Sequence, residues 1–271
     1  MNHTVLITGA SSGIGKATAI YFQEKGWNVI ATMRKPELEE DLTQLENVLV
    51  TRLDVLDLDS INAAIEEGTE KFGKIDALVN NAGYGAFGPV EAFPRENIVK
   101  QYNTNVIGLL DVTRAILPYF RTNKAGTIVN ISSIGGKMTF PLGSLYHGTK
   151  FAVEGISEAM NFEMNAFGGK MKIVEPGAIA TDFGGRSFDF QNKEELAEYQ
   201  ELVAAVMGAF ENMGGASPAS LVAEVIYTAV TDGTDQLRYT AGADAEQFMT
   251  ARKTMEDSEF TGMLKGQLNL N

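Results

Sequence analysis

Short runs of β-branched residues alternate with longer segments of helical periodicity through most of the 271-residue chain. A buried strand is expected at 4–8, a helix at 14–25 and a second strand at 28–32. Parallel strands need long crossover connections, so this rhythm predicts an α/β fold, a doubly wound parallel sheet with helices on both faces. No repeat or linker interrupts it, which favours one domain over 1–271. Further strands are expected at 48–53, 77–80, 127–131 and 172–175, and helices from residue 36 and over about 58–72, 95–122 and 144–167.

The composition excludes several classes of protein. The chain is 44% hydrophobic and 21% charged, which is typical of a globular domain. It has no cysteine, and its two histidines, His3 and His147, are far apart, so no metal site is predicted. The net charge of −13 disfavours nucleic acid and anionic lipid as partners. Without an apolar run of roughly 18 residues or a secretory leader, we expect a cytoplasmic protein with no membrane association.

Residues 182–216 break the alternation of strands and helices. The stretch follows a predicted strand and contains aromatic residues, one helix and the flanking pairs Gly184–Gly185 and Gly214–Gly215. Glycine pairs permit the large backbone changes of a hinge, so we interpret it as a substrate lid. The alternative is a packed surface helix. The domain then has three parts: a cofactor and catalytic core (1–181), the lid (182–216), and a C-terminal helix, last strand and tail (217–271).

The sequence TGASSGIG at 8–15 follows the first strand and opens the first helix. Gly9, Gly13 and Gly15 let the backbone turn sharply and approach a pyrophosphate, and the helix N-terminus supplies free N–H groups and a positive dipole. The spacing therefore predicts a dinucleotide-binding loop.

The end of the second strand discriminates between the two nicotinamide cofactors. An acidic residue there would accept hydrogen bonds from the ribose hydroxyl of NAD, whereas a cation suits the extra phosphate of NADP. The sequence is ATMRK, in which Arg34 follows directly and no acid is present. This favours NADP(H) over NAD(H), the alternative being that Arg34 is an ordinary surface charge.

The sequence SLYHGTK at 144–150 raises the question of which side chain carries a proton. Residues four apart share one face of a helix, so Tyr146 and Lys150 face the same space and His147 does not. We therefore expect His147 to be a surface or packing residue. Because Tyr21 and Lys25 have the same spacing, the pair alone is not specific.

The motifs TGASSGIG, NNAG at 80–83, N-x-x-G from Asn105, a serine after TIVNI, YHGTK and a Pro-Gly turn occur in order. In this combination the chain resembles the short-chain dehydrogenase/reductase superfamily over residues 4–181. The resemblance implies a Rossmann-type fold, a homodimer or homotetramer, and a catalytic tetrad of Asn105, Ser133, Tyr146 and Lys150. It assigns no function to Glu175. The implied cofactor contacts are Gly9, Ser11, Ser12, Gly13, Ile14, Gly15, Arg34, Asp54, Val55, Asn80, Ala82, Gly83, Tyr146, Lys150, Pro176, Gly177, Ile179 and Thr181.

The chemistry of the tetrad is consistent with this resemblance. A tyrosine hydroxyl has a reference pKa near 10. An ammonium about 4 Å away, at an effective dielectric constant of about 20, would stabilise the phenolate by about 4 kcal/mol, equivalent to about three pKa units. Tyr146 is then the acid/base, Ser133 hydrogen-bonds the substrate oxygen, Asn105 holds a water that passes the proton on, and the cofactor supplies the hydride.

The predicted function is NADP(H)-dependent hydride transfer between nicotinamide and an apolar ketone, aldehyde or secondary alcohol. The alternatives are a 3-oxoacyl thioester reductase and a non-catalytic nicotinamide-binding regulatory protein. Residues 182–271 contain 15 acidic and 6 basic residues, which disfavours docking of an acidic acyl carrier protein. An apolar substrate is suggested by aromatic residues near the expected pocket: Phe87, Phe140, Phe183, Phe188, Phe190 and Tyr199.

Overall fold

The apolar runs form one central sheet in the computed structural model, which describes residues 2–182, 185, 187–211, 216–268 and 270. The sheet has seven parallel strands in the order β11-β7-β6-β4-β1-β2-β3. The prediction of a single-domain, Rossmann-type doubly wound sheet is confirmed. In chain order the described strands are β1 (Thr4–Ile7), β2 (Asn28–Met33), β3 (Val48–Arg52), β4 (Ala77–Asn80), β5 (Gly85–Phe87), β6 (Thr127–Ile131), β7 (Lys170–Pro176), β8 (Ile179–Ala180), β9 (Phe188–Phe190), β10 (Ser217–Pro218) and β11 (Arg238–Ala241).

Helices cover both faces of the sheet because the strands are apolar on both faces. In β1, Val5 and Ile7 pack into the core beneath the first and seventh helices, while Leu6 packs into the core on the opposite face. All three are fully buried. The described helices are α1 (Gly13–Glu24), α2 (Leu58–Phe72), α3 (Arg95–Tyr102), α4 (Leu109–Asn123), α5 (Ser144–Asn165), α6 (Ala197–Glu211), α7 (Ala219–Thr231), α8 (Ala243–Thr254) and α9 (Asp257–Gln267). None of these helices is long and apolar enough to cross a membrane.

One helical prediction differs from the structure. The helix expected from residue 36 is only a 3₁₀ turn, Pro36–Leu38. The buried Glu39 carboxylate accepts hydrogen bonds from the N–H groups of Asp41 and Leu42, so these donors are not free to continue a helix. The helical region expected over 95–122 is present and continuous, with a π-helical turn at Asn103–Gly108 between α3 and α4.

The stretch after Thr181 is joined to the rest of the molecule by backbone pairing. Strand β9 pairs in parallel with β5, placing Phe188 beside Gly85 and Phe190 beside Phe87. Helix α6 contributes Val203 and Val206 to an apolar cluster. Of the predicted hinge residues, Gly184, Gly214 and Gly215 lie outside the described residues.

The residues after β11 form α8 and α9 where the sequence suggested a tail. Met249 of α8 and Phe260 of α9 are buried against Ile134 and Met138, which follow β6. The C-terminal helices therefore support the loop that leads from β6 to α5.

Candidate active site

The predicted site residues lie on connections that leave the carboxyl ends of neighbouring parallel strands, an arrangement that brings them to one edge of the sheet. The glycine loop follows β1, Arg34 follows β2, and Asp54 and Val55 follow β3. The other sets comprise Asn80, Ala82 and Gly83 at the end of β4, Ser133 after β6, and Pro176, Gly177, Ile179 and Thr181 from the end of β7 onwards.

The glycine loop is shaped by contacts that leave no room for side chains. Gly9 and Gly13 have φ angles of 69° and 55°, which favour glycine. A Cβ atom on Gly15 would lie 2.3 Å from the Gly9 carbonyl oxygen and 2.5 Å from Asn81 Nδ2. The loop conformation therefore depends on glycine at all three positions.

Asn81 and Thr8 fasten this loop to the end of β4. The Asn81 amide donates to the carbonyl oxygens of Thr8 (3.0 Å) and Gly9 (3.1 Å), and Thr8 Oγ1 accepts from the N–H groups of Asn81 and Ala82 (both 3.0 Å). Neither role was predicted. The NNAG motif signals both asparagines, but the sequence does not show which one faces the loop.

Asn80 is the last residue of β4, and its side chain does not face the glycine loop. It is buried, and its Nδ2 donates to Thr113 Oγ1 and Asn130 Oδ1, both at 2.9 Å. Its side chain therefore joins β4 to β6 and α4.

The start of α1 is suited to binding an anion. Its N-cap residue, Ser12, makes no side-chain hydrogen bond to the first turn, so the terminal N–H groups and the positive end of the helix dipole face the loop. Thr181 lies beside it, since a Cβ atom on Gly13 would be 3.4 Å from Thr181 Cγ2. These groups fit the pyrophosphate of a dinucleotide.

Arg34 is placed close to this loop. The Ala10 N–H group donates to the carbonyl oxygen of Thr32 at 2.9 Å, which ties the loop to the end of β2. Arg34 is exposed and forms no ion pair with any residue that the structure describes, whereas Lys16 is paired with Glu39 and Asp41. The arginine is thus available to a phosphate.

Ser133, Tyr146 and Lys150 come together at the start of α5. The hydroxyl groups of Tyr146 and Ser133 form a hydrogen bond. Lys150 Nζ donates to the Ile131 carbonyl oxygen at 2.8 Å and lies 5.7 Å from the centre of the Tyr146 ring. The i, i+4 spacing thus places the hydroxyl and the ammonium on one face, as predicted.

Asn105 lies in the π-helical turn and is buried. Its amide donates to the Tyr84 carbonyl oxygen (2.8 Å) and Thr149 Oγ1 (3.1 Å), and Oδ1 accepts from the Tyr84 N–H (3.1 Å). The side chain therefore connects α5 to the segment after NNAG, close to Lys150.

Burial controls the protonation of Tyr146 and Lys150. It raises the pKa of the Tyr146 hydroxyl, which the hydrogen bond with Ser133 partly opposes. It lowers the pKa of Lys150 to about 8, against the charge of Glu154, which raises it. The pKa of Tyr146 is therefore raised where the sequence predicted that it would be lowered, because desolvation outweighs the hydrogen bond with Ser133. Tyr146 is protonated at neutral pH.

His147 has a packing role. It is 3% exposed, and Phe140 N–H donates to its Nε2 at 2.9 Å while its Nδ1 lies 2.9 Å from the Gly135 carbonyl oxygen. These contacts fix one tautomer, with the proton on Nδ1, and burial lowers the pKa of the imidazole. His147 thereby holds the loop between β6 and α5.

Three aromatic rings pack in a row beside the Tyr146 side chain. The Phe87 ring lies 5.3 Å from the Tyr146 ring and 5.2 Å from the Phe188 ring, and Phe190 is 6.1 Å from Phe188. Tyr199 is further along this segment, where its hydroxyl donates to Glu91 Oε2 at 3.2 Å. Phe183 lies outside the described residues.

The parallel sheet and its glycine loop define a nucleotide-binding α/β protein of the Rossmann type. The model of the short chain dehydrogenase family matches residues 3–192. An uncharacterized oxidoreductase from Schizosaccharomyces pombe is 44% identical over 245 residues, which cover 88% of this chain and all of the relative. The chain therefore belongs to the short-chain dehydrogenase family and is an oxidoreductase.

Other relatives carry more specific names. A 3-ketodihydrosphingosine reductase from Bacteroides thetaiotaomicron is 41% identical over 197 residues, covering 73% of this chain and 70% of the relative. A short-chain dehydrogenase structure from Streptomyces avermitilis matches with a TM-score of 0.86 and 32% identity, over 99% of this chain and 98% of the other. The structure of ElxO with NADP bound matches with a TM-score of 0.74 and 29% identity, over 91% of this chain and 100% of the other.

Proposed function

We propose that the protein transfers a hydride between NADP(H) and an apolar ketone, aldehyde or secondary alcohol, with Tyr146 as the acid/base. The observation that carries this proposal is the hydrogen bond between Tyr146 and Ser133, with Lys150 on the same face of α5. These three groups stand at the sheet edge that also carries the glycine loop.

The residues have separate roles in reduction. When bound, the nicotinamide supplies the hydride to the carbonyl carbon. Ser133 donates a hydrogen bond to the carbonyl oxygen, and Tyr146 donates the proton that completes the alcohol. The raised pKa of Tyr146 suits this direction because the hydroxyl is protonated at neutral pH.

After the transfer, the phenolate must recover its proton. Lys150 stabilises the phenolate by its charge, and Asn105 would hold a water through which the proton returns. Oxidation of an alcohol uses the same groups in reverse, and there the positive charge of the oxidised nicotinamide would favour the phenolate.

The cofactor preference rests on Arg34. It is exposed and lacks an ion-pair partner among the described residues, so it can neutralise the 2′-phosphate of NADP(H). ElxO, whose structure contains NADP, supports the same choice. The glycine loop and Thr181 would hold the pyrophosphate.

The proposed substrate class is supported by the aromatic wall formed by Phe87, Phe188 and Phe190 beside Tyr146. The relative named as a reductase of a 3-keto compound supports a ketone. Residues 182–216 would act as the lid over this substrate, since β9 brings Phe188 into the wall.

The experiment is a binding assay followed by a substrate panel. NADPH fluorescence should change on mixing with the protein, and NADPH should be consumed with at least one aryl, steroid or aliphatic ketone. Binding without turnover across the panel would favour a regulatory protein. Absence of NADPH binding would reject the proposal.

A further inference from the structure

One face of α5 continues from the proposed catalytic pair into a buried cluster of charges. Tyr146, Lys150 and Glu154 are spaced four residues apart and therefore lie along the same face. Glu154 is 4% exposed, and its charge raises the pKa of Lys150. Glu154 thus acts electrostatically on Lys150.

A second carboxyl group, that of Glu175, lies in the same cluster. It belongs to β7, immediately before the Pro-Gly turn, and is 1% exposed. Arg238 of β11 joins the two acids, because its Nε lies 3.0 Å from Glu154 Oε2 and 3.7 Å from Glu175 Oε1. The same guanidinium also binds Glu158 through Nη2 at 2.5 Å. One cation therefore serves three carboxyl groups, two of which are buried.

Three buried oxygen atoms around this cluster have no hydrogen-bond partner within the described part of the chain: Glu154 Oε1, Glu175 Oε1 and Ser132 Oγ. Gly136 marks the point where the surrounding segments meet. A Cβ atom there would lie 2.7 Å from Ser132 Oγ, 2.9 Å from Glu154 Cγ and 3.0 Å from the Lys150 carbonyl oxygen. The cluster is thus continuous with the segments that carry Ser133 and Lys150.

Two desolvated carboxylates with a shared cation favour retention of one proton, because an unpaired buried charge is costly. Burial, followed by the charge of Glu154, raises the pKa of Glu175 to about 7. The cations that oppose this are Arg238, Lys137 and Lys253. The three buried oxygen atoms without a hydrogen-bond partner are consistent with a bound proton. A protonated carboxyl group can donate a hydrogen bond, whereas a carboxylate can only accept one.

We propose that Glu154 and Glu175 are positioning residues for the proposed reaction: Glu175 retains a proton beside the charge of Glu154, and the two acids thereby set the electric field at the Lys150 ammonium. When Glu175 loses this proton, a second negative charge develops behind Lys150 and favours its charged form. The catalytic role rests on the proposed function, whereas the proton on Glu175 does not.

The proton on Glu175 can be measured without any substrate. Infrared spectra of the full-length protein between about pH 5 and 9 should show a carboxylic C=O stretch that disappears with a midpoint near 7. Glu175→Gln should abolish this titration. Glu158→Gln is the matched control, because it removes an exposed carboxylate from the same arginine and should leave the band unchanged.

A second variant tests the coupling between the two acids. Glu154→Gln should move the midpoint of the Glu175 band to lower pH, on the order of one unit, because a like charge has been removed. A band that persists in Glu175→Gln, or a wild-type protein with no carboxylic band above pH 6, would overturn the proposal. Circular dichroism would establish that each variant is folded.

The effect on Lys150 appears in the pH profile of kcat/KM for ketone reduction. Glu154→Gln and Glu175→Gln should move the alkaline limb to lower pH, because loss of negative charge lowers the lysine pKa, and Glu158→Gln should not. A merely structural role would reduce the melting temperature or kcat without moving the limb, and would overturn the positioning role. If the infrared results hold but no carbonyl compound is reduced, the proposed function fails while the protonation of Glu175 stands.

Discussion

Tyr146 and Tyr21 each precede a lysine by four residues on a helix, and in both pairs the ammonium lies close to the tyrosine ring, at 5.7 and 5.0 Å. Their surroundings differ. Tyr21 packs against Tyr227, with ring centres 5.5 Å apart, whereas Tyr146 shares a hydrogen bond with Ser133. The chain thus contains an internal control for the chemistry assigned to the second pair.

We expect Tyr146→Phe to lower kcat/KM for carbonyl reduction by at least about a hundredfold, because it removes only the proton-donating hydroxyl. Its Kd for NADPH should remain close to that of the wild type. Tyr21→Phe should retain full activity. If Tyr146→Phe keeps more than about a tenth of the wild-type rate, another group must donate the proton.

Arg34 and Lys35 offer a second matched pair of residues. We expect Arg34→Ala to raise the KM for NADPH about tenfold to a hundredfold, since a hydrogen bond to a charged group contributes about 1.5–3 kcal/mol. The KM for NADH should change little, because NADH lacks the 2′-phosphate. Lys35→Ala, at an exposed neighbouring position, should leave both values near those of the wild type. A wild-type enzyme that uses the two cofactors equally well would contradict this assignment.

Among the strands and helices, the pairing of β5 with β9 is one feature that the sequence did not predict. Three residues are too few to give a clear alternating pattern, and the partners are about a hundred residues apart, so no local signal marks the pairing. By contrast, β1, β4 and β6 were predicted within a residue of their ends, because each is a continuous apolar run. The helix expected from residue 36 failed because Glu39 binds backbone donors through its side chain.

The site residues likewise divide into those with a local sequence signal and those that depend on distant parts of the chain. The glycine loop and the Tyr146–Lys150 face follow from local geometry, so their placement was accessible from sequence. Asn81, Glu154 and Glu175 were not identified, because their surroundings are created by strands and helices distant in the chain. For Glu175 the sequence carries no local signal, because its partner Arg238 lies on β11, far away in the chain.

The proposed lid can be tested by substitution of its aromatic residues and by hydrogen exchange. Replacing Phe188 and Phe190 with alanine should raise the KM for bulky ketones several-fold, because their rings form the wall next to Phe87. The Kd for NADPH should be nearly unchanged. Hydrogen exchange across 187–211 should slow when cofactor and ketone are both present. Full protection of this segment in the free protein, together with unaltered specificity of the double variant, would identify it as ordinary packed surface.

For the whole molecule, Glu175 links protonation to stability. Its pKa is raised from 4.5 to about 7 on folding, so the native state binds more protons than the unfolded state between these values. Stability from this group is therefore present at low pH and is lost as the pH rises through 7. Between about pH 5 and 8, the wild type should lose about 2 to 3 kcal/mol more unfolding free energy than Glu175→Gln. Chemical denaturation at both pH values measures this; identical pH dependence would contradict it.

We also expect the protein to form a homodimer or homotetramer. Tyr102, Ile107 and Phe151 are large apolar residues that are 39–48% exposed. Tyr102 lies against α5, since a Cβ atom on Gly148 would be 2.5 Å from its hydroxyl oxygen. Phe151→Asp should reduce the mass measured by light scattering, whereas Leu38→Asp, at a more exposed apolar residue, should not. A monomeric wild type would refute this expectation.

The ladder between β5 and β9 has a consequence for how substrate range can be altered. It fixes the position of the aromatic wall through main-chain hydrogen bonds, which do not depend on the identity of the side chains. Residues 188 and 190 can therefore be exchanged for smaller, larger or polar ones while the chain keeps its register beside Tyr146. Because the glycine loop and Arg34 belong to other connections, such exchanges leave the cofactor side intact. The cofactor-binding residues and the substrate-facing residues therefore belong to separate segments of the fold. A library randomised at positions 188 and 190 would test new substrates while the hydride-transfer chemistry stays the same.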